Sequence, residues 1–177
     1  MSWLTRGTRT VYENAWISVR EDTVTGPAGD GIYGVVSARH PAVFIIALDA
    51  LDRICLVTLE RYTTGRSVEI PAGGSDGEDP LAAAQRELLE ETGLRADEWT
   101  ELGRMNALNG VCVAPEHVFL ARVLHPGDDH AQAEEGIEDV SWVAFADVLR
   151  MIADGRITDG ETIAALAYAG IHLGRFA

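Results

Sequence analysis

Cysteine is scarce in this 177-residue chain: Cys55 lies in the apolar run RICLV and Cys112 in NGVCVAP. Two isolated cysteines are neither a disulfide framework nor a zinc-ligand spacing, and they fit a reduced cytoplasm. Basic side chains are also few, 14 against 28 acidic ones, which leaves a formal net charge of −14. Such a surface repels a bare nucleic-acid backbone or an anionic membrane, so neither is an expected partner. Long apolar runs are missing as well. No stretch approaches the roughly eighteen residues of a membrane span, and the opening MSWLTRGTRT lacks the continuous apolar core of a signal peptide. The expectation is a soluble, unprocessed cytoplasmic protein without internal repeats or low-complexity linkers.

What is present describes one ordinary globular domain, with 47% hydrophobic and 24% charged residues. Residues 9–24, RTVYENAWISVREDTV, carry β-branched and aromatic residues in partial alternation, and TGPAGDGIYGVVSA reads as a turn and another strand. A β-hairpin is expected there. AVFIIALDALDRICLVTLERY gives two apolar runs around a short Asp-containing connection, a second hairpin buried on both faces. After an irregular stretch from Glu98 to Pro115, HVFLARVL reads as a strand, PGDDHAQAEEG as an acidic loop and VSWVAF as a short strand. FADVLRMIADG is a helix ended by Gly155, and TDGETIAALAYAG one opened by a capping box of Thr158 and Glu161. Both of these C-terminal helices read as structural. Strands before and after a central helix, without strict βαβ alternation, predict an α/β fold: a mixed β-sheet sandwiched between helices.

The central helix lies in DGEDPLAAAQRELLEETG, where Asp79 suits the cap, Pro80 the first helical position and Gly93 the left-handed stop. Leu81, Ala84, Leu88 and Thr92 share one face, and Glu87 and Glu91 border that apolar stripe with Glu90 further round. Glu87 and Glu91 are one turn apart, where like charges cost about 0.2–0.5 kcal/mol per pair. A solvated acidic face is the ordinary explanation of such a run. The alternative is a divalent cation, because carboxylate oxygens are the hard ligands that Mg²⁺ or Mn²⁺ prefers, and bound metal also reverses the local field for a phosphorylated ligand.

The surrounding EIPAGGSDGEDPLAAAQRELLEETGL resembles the signature of the Nudix hydrolases. Seven residues separate Glu78 from Arg86, which is followed by Glu87, Leu88, Glu90, Glu91, Gly93 and Leu94, each at its motif position. One departure concerns the loop: four residues separate Gly73 from Glu78 where the motif has five, and Ala72 occupies the place that five intervening residues would give. VYENAWISVREDTV, LERY and EIPAGG are similar to the branch acting on ADP-ribose and other nucleoside diphosphate sugars. That resemblance implies an N-terminal β segment over residues 1–40, a β-hairpin extension that serves as a dimerisation element, and a Nudix core over residues 41–177.

Carried over position by position, the resemblance makes Glu87 and Glu91 metal ligands, with Glu90 assisting, Ala72 offering its carbonyl and Arg86 orienting the helix carboxylates. Glu78 matches the earlier motif glutamate and is equally readable as an acid favoured by the helix dipole. Water must also lose a proton to attack phosphorus, and the resemblance points to Glu116 for this role, ahead of Glu134 and Glu135 in the next acidic loop. The implied activity is Mg²⁺-dependent hydrolysis of the diphosphate linkage of a nucleoside diphosphate sugar, foremost ADP-ribose, by a cytoplasmic homodimer. Asn109 and Gly110 stand where ADP-ribose-specific members carry a proline, which leaves GDP-mannose and other sugar nucleotides open. Alternatives are a non-catalytic sensor of nucleotide sugars, or a pyrophosphatase for nucleoside triphosphates or dinucleoside polyphosphates.

Several other residues have more than one reading. Arg61 and Arg66 could meet phosphate or merely keep the surface soluble. Trp16 and Tyr33 could stack on a base, though strand aromatics more often join a core. His40, His117, His125, His130 and His172 show no metal-site spacing, and alternation sends His117 to the opposite face from Glu116.

Overall fold

The computed structural model describes residues 2–128 and 131–176. Asp129 and His130, inside the expected acidic loop, lie outside the described residues.

The N-terminal segment is a three-stranded antiparallel meander: β1 (Leu4–Glu13), β2 (Ile17–Gly26) and β3 (Gly29–Ala38). The expected hairpin is therefore two hairpins. Asn14 makes the first corner, its side-chain oxygen accepting from the amides of Trp16 at 2.9 Å and Ile17 at 2.8 Å, a local bond by which asparagine competes with strand pairing. The second corner is Pro27 and Ala28, and Gly29 takes the positive φ of 105° that follows them.

The core has its strands in two further sheets. β4 (Ala42–Ala47), β7 (Ala72–Gly74), β8 (Leu94–Asn106) and β10 (Pro115–Pro126) form one in the order β7-β4-β10-β8, with β4 and β10 parallel. β5 (Arg53–Arg61), β6 (Gly65–Glu69) and β11 (Ile137–Ala144) form the other, in the order β11-β5-β6. The apolar runs read as one hairpin are thus β4 and β5, which join at the Leu48–Ile54 bridge and then diverge into different sheets. Their continuous hydrophobicity fits strands covered on both faces. The remaining strand, β9 (Cys112–Val113), joins the N-terminal sheet beside β3.

Helix α1 (Pro80–Thr92) covers one face and helices α2 (Phe145–Ala153) and α3 (Gly160–His172) the other. Alternation along β4 serves both layers: Val43, Ile45 and Ala47 pack with Ala83, Ala84 and Leu88 of α1, while Ile46 and Leu48 pack with Val148, Leu166 and Ala169. The first half of the stretch expected to be irregular, 98–106, belongs to β8, a 13-residue strand. Its weak β-branched content hid it. Leu102 is the extra residue opposite the Val118–Phe119 step, a bulge that interrupts the alternation a strand reading depends on.

Candidate active site

Helix α1 begins and ends as its sequence dictates. Asp79 accepts from the amides of Leu81 and Ala82, Pro80 occupies the first turn, and Gly93 closes the helix at φ 70° and ψ 17°. Its register brings Glu87 and Glu91 inward among Ala83, Ala84 and Leu88; they are 7% and 6% exposed, inside the buried stripe and not beside it.

Arg86 is the clamp of this wall. Its guanidinium donates to Glu78 at 3.1 Å, Glu87 at 2.9 Å, Glu90 at 2.7 Å and the carbonyl of Gly74 at 2.9 Å. One planar fork thereby ties the motif loop to three helix-side acids. Gly73 is needed where it stands, because a Cβ there would overlap the carboxylate of Glu87. The glycine with a steric task is thus Gly73, and Ala72 sits in an ordinary strand position opposite Phe44. Ala72 meets the helix through its amide, which donates to Glu91 at 3.0 Å.

Burial pushes the carboxyl of Glu91 up to about 8, and the charges of Glu87 and Glu135 add to this against the pull of the Ala72 amide and Arg61. Glu87 is raised too, chiefly by burial, with Arg86 opposing. The wall is short of positive charge, and its donors are the hard oxygens a divalent cation takes, so the residues fit such an ion. Among the described residues no three His, Cys, Asp or Glu side chains converge on one point. Two carboxylates with ligand phosphate oxygens completing the shell is a common arrangement for Mg²⁺.

Ala72 and Gly73 border a cavity of about 450 Å³ whose other walls hold Arg61, Glu69, Glu116, Asp159 and Glu161. Arg61 lies against Glu69 in a two-point pair at 3.1 and 2.6 Å. Glu116, at the start of β10, is 5% exposed, and burial pushes it up to about 7 with help from the charges of Glu161 and Asp159. His117 turns to the far side of the sheet and bonds Glu101 at 3.0 Å, as strand alternation predicts. Arg66 instead pairs with Glu138 at 3.4 Å. Trp16 is 72% exposed, and Tyr33 packs edge-on to Trp3 in the N-terminal sheet. Burial pushes the Cys55 thiol up to about 12, consistent with an inert core residue.

Asp159 and Glu161 escaped the sequence reading because they resemble helix-start residues. The cap of α3 is Asp159, which accepts from Thr162 at 2.7 Å, and not Thr158. One acid is enough for that task, and the surplus acid in TDGE was the available signal that this helix is more than structural.

These walls can be compared with known proteins. Residues 38–166 match the NUDIX domain model. The chain belongs to the Nudix family. Residues 3–36 match the nucleoside diphosphate sugar hydrolase N-terminal domain. The Nudix chain is 33% identical over 171 residues to an ADP-ribose pyrophosphatase of Mycobacterium tuberculosis, covering 94% of this chain and 80% of that protein. It is 39% identical over 113 residues to a GDP-mannose pyrophosphatase of Yersinia pestis, covering 62% and 56%. The crystal structure of an ADP compounds hydrolase shares the fold, with a TM-score of 0.86 at 19% identity over 100% of this chain and 97% of that one. Among the described residues no helix is long and apolar enough to cross a membrane.

Proposed function

We propose that this Nudix protein hydrolyses the diphosphate linkage of a nucleoside diphosphate sugar, ADP-ribose foremost, to a nucleoside monophosphate and a sugar phosphate. The observation that carries this reading is the packing of the motif acids at the cavity's edge: buried, under-neutralised Glu87 and Glu91 meet Gly73 and Ala72, which line a space walled by further carboxylates and one arginine. The N-terminal match and the names of the relatives favour sugar nucleotides over triphosphates and dinucleoside polyphosphates.

Glu87 and Glu91, with Glu90 assisting and Ala72 at the strand edge, would hold Mg²⁺, or Mn²⁺ in its place. When bound, the ion supplies Lewis-acid stabilisation of charge on the diphosphate. Arg86 keeps Glu87 and Glu90 in place while the motif loop is fixed through Gly74. Arg61 is within reach of an entering phosphate once it leaves Glu69. Glu116 takes the proton of the attacking water: near neutral pH it exists in both protonation states, and among the described residues no cation is paired with it. Glu135 is the competing base, favoured by the reach of its charge to both Glu87 and Glu91.

The protein is read as a cytoplasmic homodimer that binds neither nucleic acid nor membrane. The exposed β1 strand, with Leu4, Val11 and Tyr12 on its surface, supports pairing through the N-terminal segment, and the net charge of −14 disfavours anionic partners. The test is product analysis with Mg²⁺ across ADP-ribose, GDP-mannose, nucleoside triphosphates and dinucleoside polyphosphates. Selective formation of monophosphate and sugar phosphate is expected; turnover confined to triphosphates or dinucleoside polyphosphates would overturn the sugar-nucleotide reading.

A further inference from the structure

The α3 end of the cavity has a chemistry of its own. Glu116, Asp159 and Glu161 line it together, and Arg61, the cation among the lining residues, is committed to Glu69. Neither oxygen of Glu116 has a hydrogen-bond partner among the described residues, although the residue is only 5% exposed and faces the cavity. Its oxygens are therefore open to the cavity rather than sealed from it, and they stand beside two more acids.

An anionic phosphate is repelled by this end, and a nucleobase finds a single aromatic lining residue, Phe44. Ionised carboxylates only accept hydrogen bonds, so they suit a neutral group with several donors. Among the described residues the acids do not converge as an ion's ligands would; Asp159 and Glu161 lie within hydrogen-bonding reach of each other, neighbouring acceptors as the hydroxyls of a sugar are neighbouring donors. The turn that carries them is fixed in advance. Asp159 caps Thr162, and the hydroxyl of fully buried Thr162 accepts from the amide of Ile70 at 3.2 Å, two residues before Ala72. The first turn of α3 is thereby tied to the strand that leads into the motif loop.

We propose that the N-terminal turn of α3 reads the sugar half of the substrate, Asp159 and Glu161 accepting hydrogen bonds from adjacent hydroxyls of the sugar while its phosphate lies toward α1. This inference rests on the sugar-nucleotide reading above and assigns that site its hydroxyl-reading side chains.

The test compares ADP-ribose with an ADP ester of tetrahydrofurfuryl alcohol, which keeps the ring and the diphosphate and lacks the terminal hydroxyls. Both kcat/KM and metal-free binding are measured for wild type, Glu161→Gln and Asp159→Asn; Asn preserves the cap. Wild type should prefer ADP-ribose by about 10- to 100-fold, the value of hydrogen bonds to charged acceptors. In each variant that preference should shrink to within about threefold, because recognition of ADP-ribose weakens. A preference that survives both substitutions overturns the inference while leaving the activity standing. If wild type hydrolyses neither compound, the activity reading has failed; titration of wild type and Glu161→Gln with ribose 5-phosphate then decides, weaker binding by the variant supporting the subsite and equal or absent binding overturning it.

Discussion

The carboxylates of α1 and its motif loop, packed behind Ala72 and Gly73 at the edge of the cavity, and those that line the cavity at its α3 end are held differently. On the α1 wall, Arg86 bridges Glu78, Glu87, Glu90 and the Gly74 carbonyl, so most of the acids have fixed partners. At the α3 end, Glu116 has no partner among the described residues, Asp159 caps α3 and meets Glu161, another acid, and burial raises Glu161 beside it. A wall with a built-in cation can hold its acids in one geometry while the site is empty. A wall without one depends on protons or on what enters.

The largest expected effect breaks the α1 wall. Glu91→Gln should lower kcat by about 1000-fold, the scale of several kcal/mol of lost charge stabilisation, with circular dichroism unchanged; near-normal turnover would remove Glu91 from the site. Gly73→Ala, which forces Glu87 or the loop to move, should cost about 100-fold, the penalty of misplacing a reacting group by about an ångström. Full activity in that variant would show that the close approach is not needed.

The third prediction sharpens the contrast through pH. If Glu116 is the base, kcat/KM should rise as pH increases through about 7, where its carboxyl ionises, and Glu116→Gln should lose that limb along with about 100-fold in rate. Loss of the limb in Glu135→Gln instead would move the base to the acidic loop.

A smaller effect concerns stability without metal. The folded-state pKa of Glu91, about 8, lies above its ordinary value of 4.5. The native state therefore holds its proton more tightly than the unfolded chain does. That contribution to stability is fully present below about pH 4.5 and is lost as pH rises through about 8. Glu91→Gln removes the penalty, so its Tm relative to wild type should climb between those limits, and Mg²⁺ should raise the wild-type Tm more than the variant's at the upper end. A pH-independent difference would contradict the assignment. Smallest is Asp79→Ala, which deletes the α1 cap and should cost about 1 kcal/mol in denaturant unfolding; an unchanged midpoint would count against the cap.

Legibility in the sequence follows the same division. The α1 wall is written in one continuous run, in which Asp79, Pro80 and Gly93 mark the helix and Arg86 to Glu91 mark the chemistry, so local rules suffice. The α3 wall is assembled from β5, β6, β10 and the start of α3, and no local pattern relates Glu116 to Asp159 or Glu161. β8 was missed for a related reason, since a bulge at Leu102 breaks its periodicity. The N-terminal corner was blurred because Asn14 and Trp16 sit inside a run that otherwise reads as one strand.

Phosphorus NMR of ADP-ribose incubated with Mg²⁺ and either wild type or Glu91→Gln tests the central claim most directly. Wild type is expected to convert the two diphosphate signals into two monoester signals, AMP and ribose 5-phosphate, while the variant leaves the diphosphate intact. Persistence of the diphosphate with wild type, or equal conversion by both proteins, would contradict it.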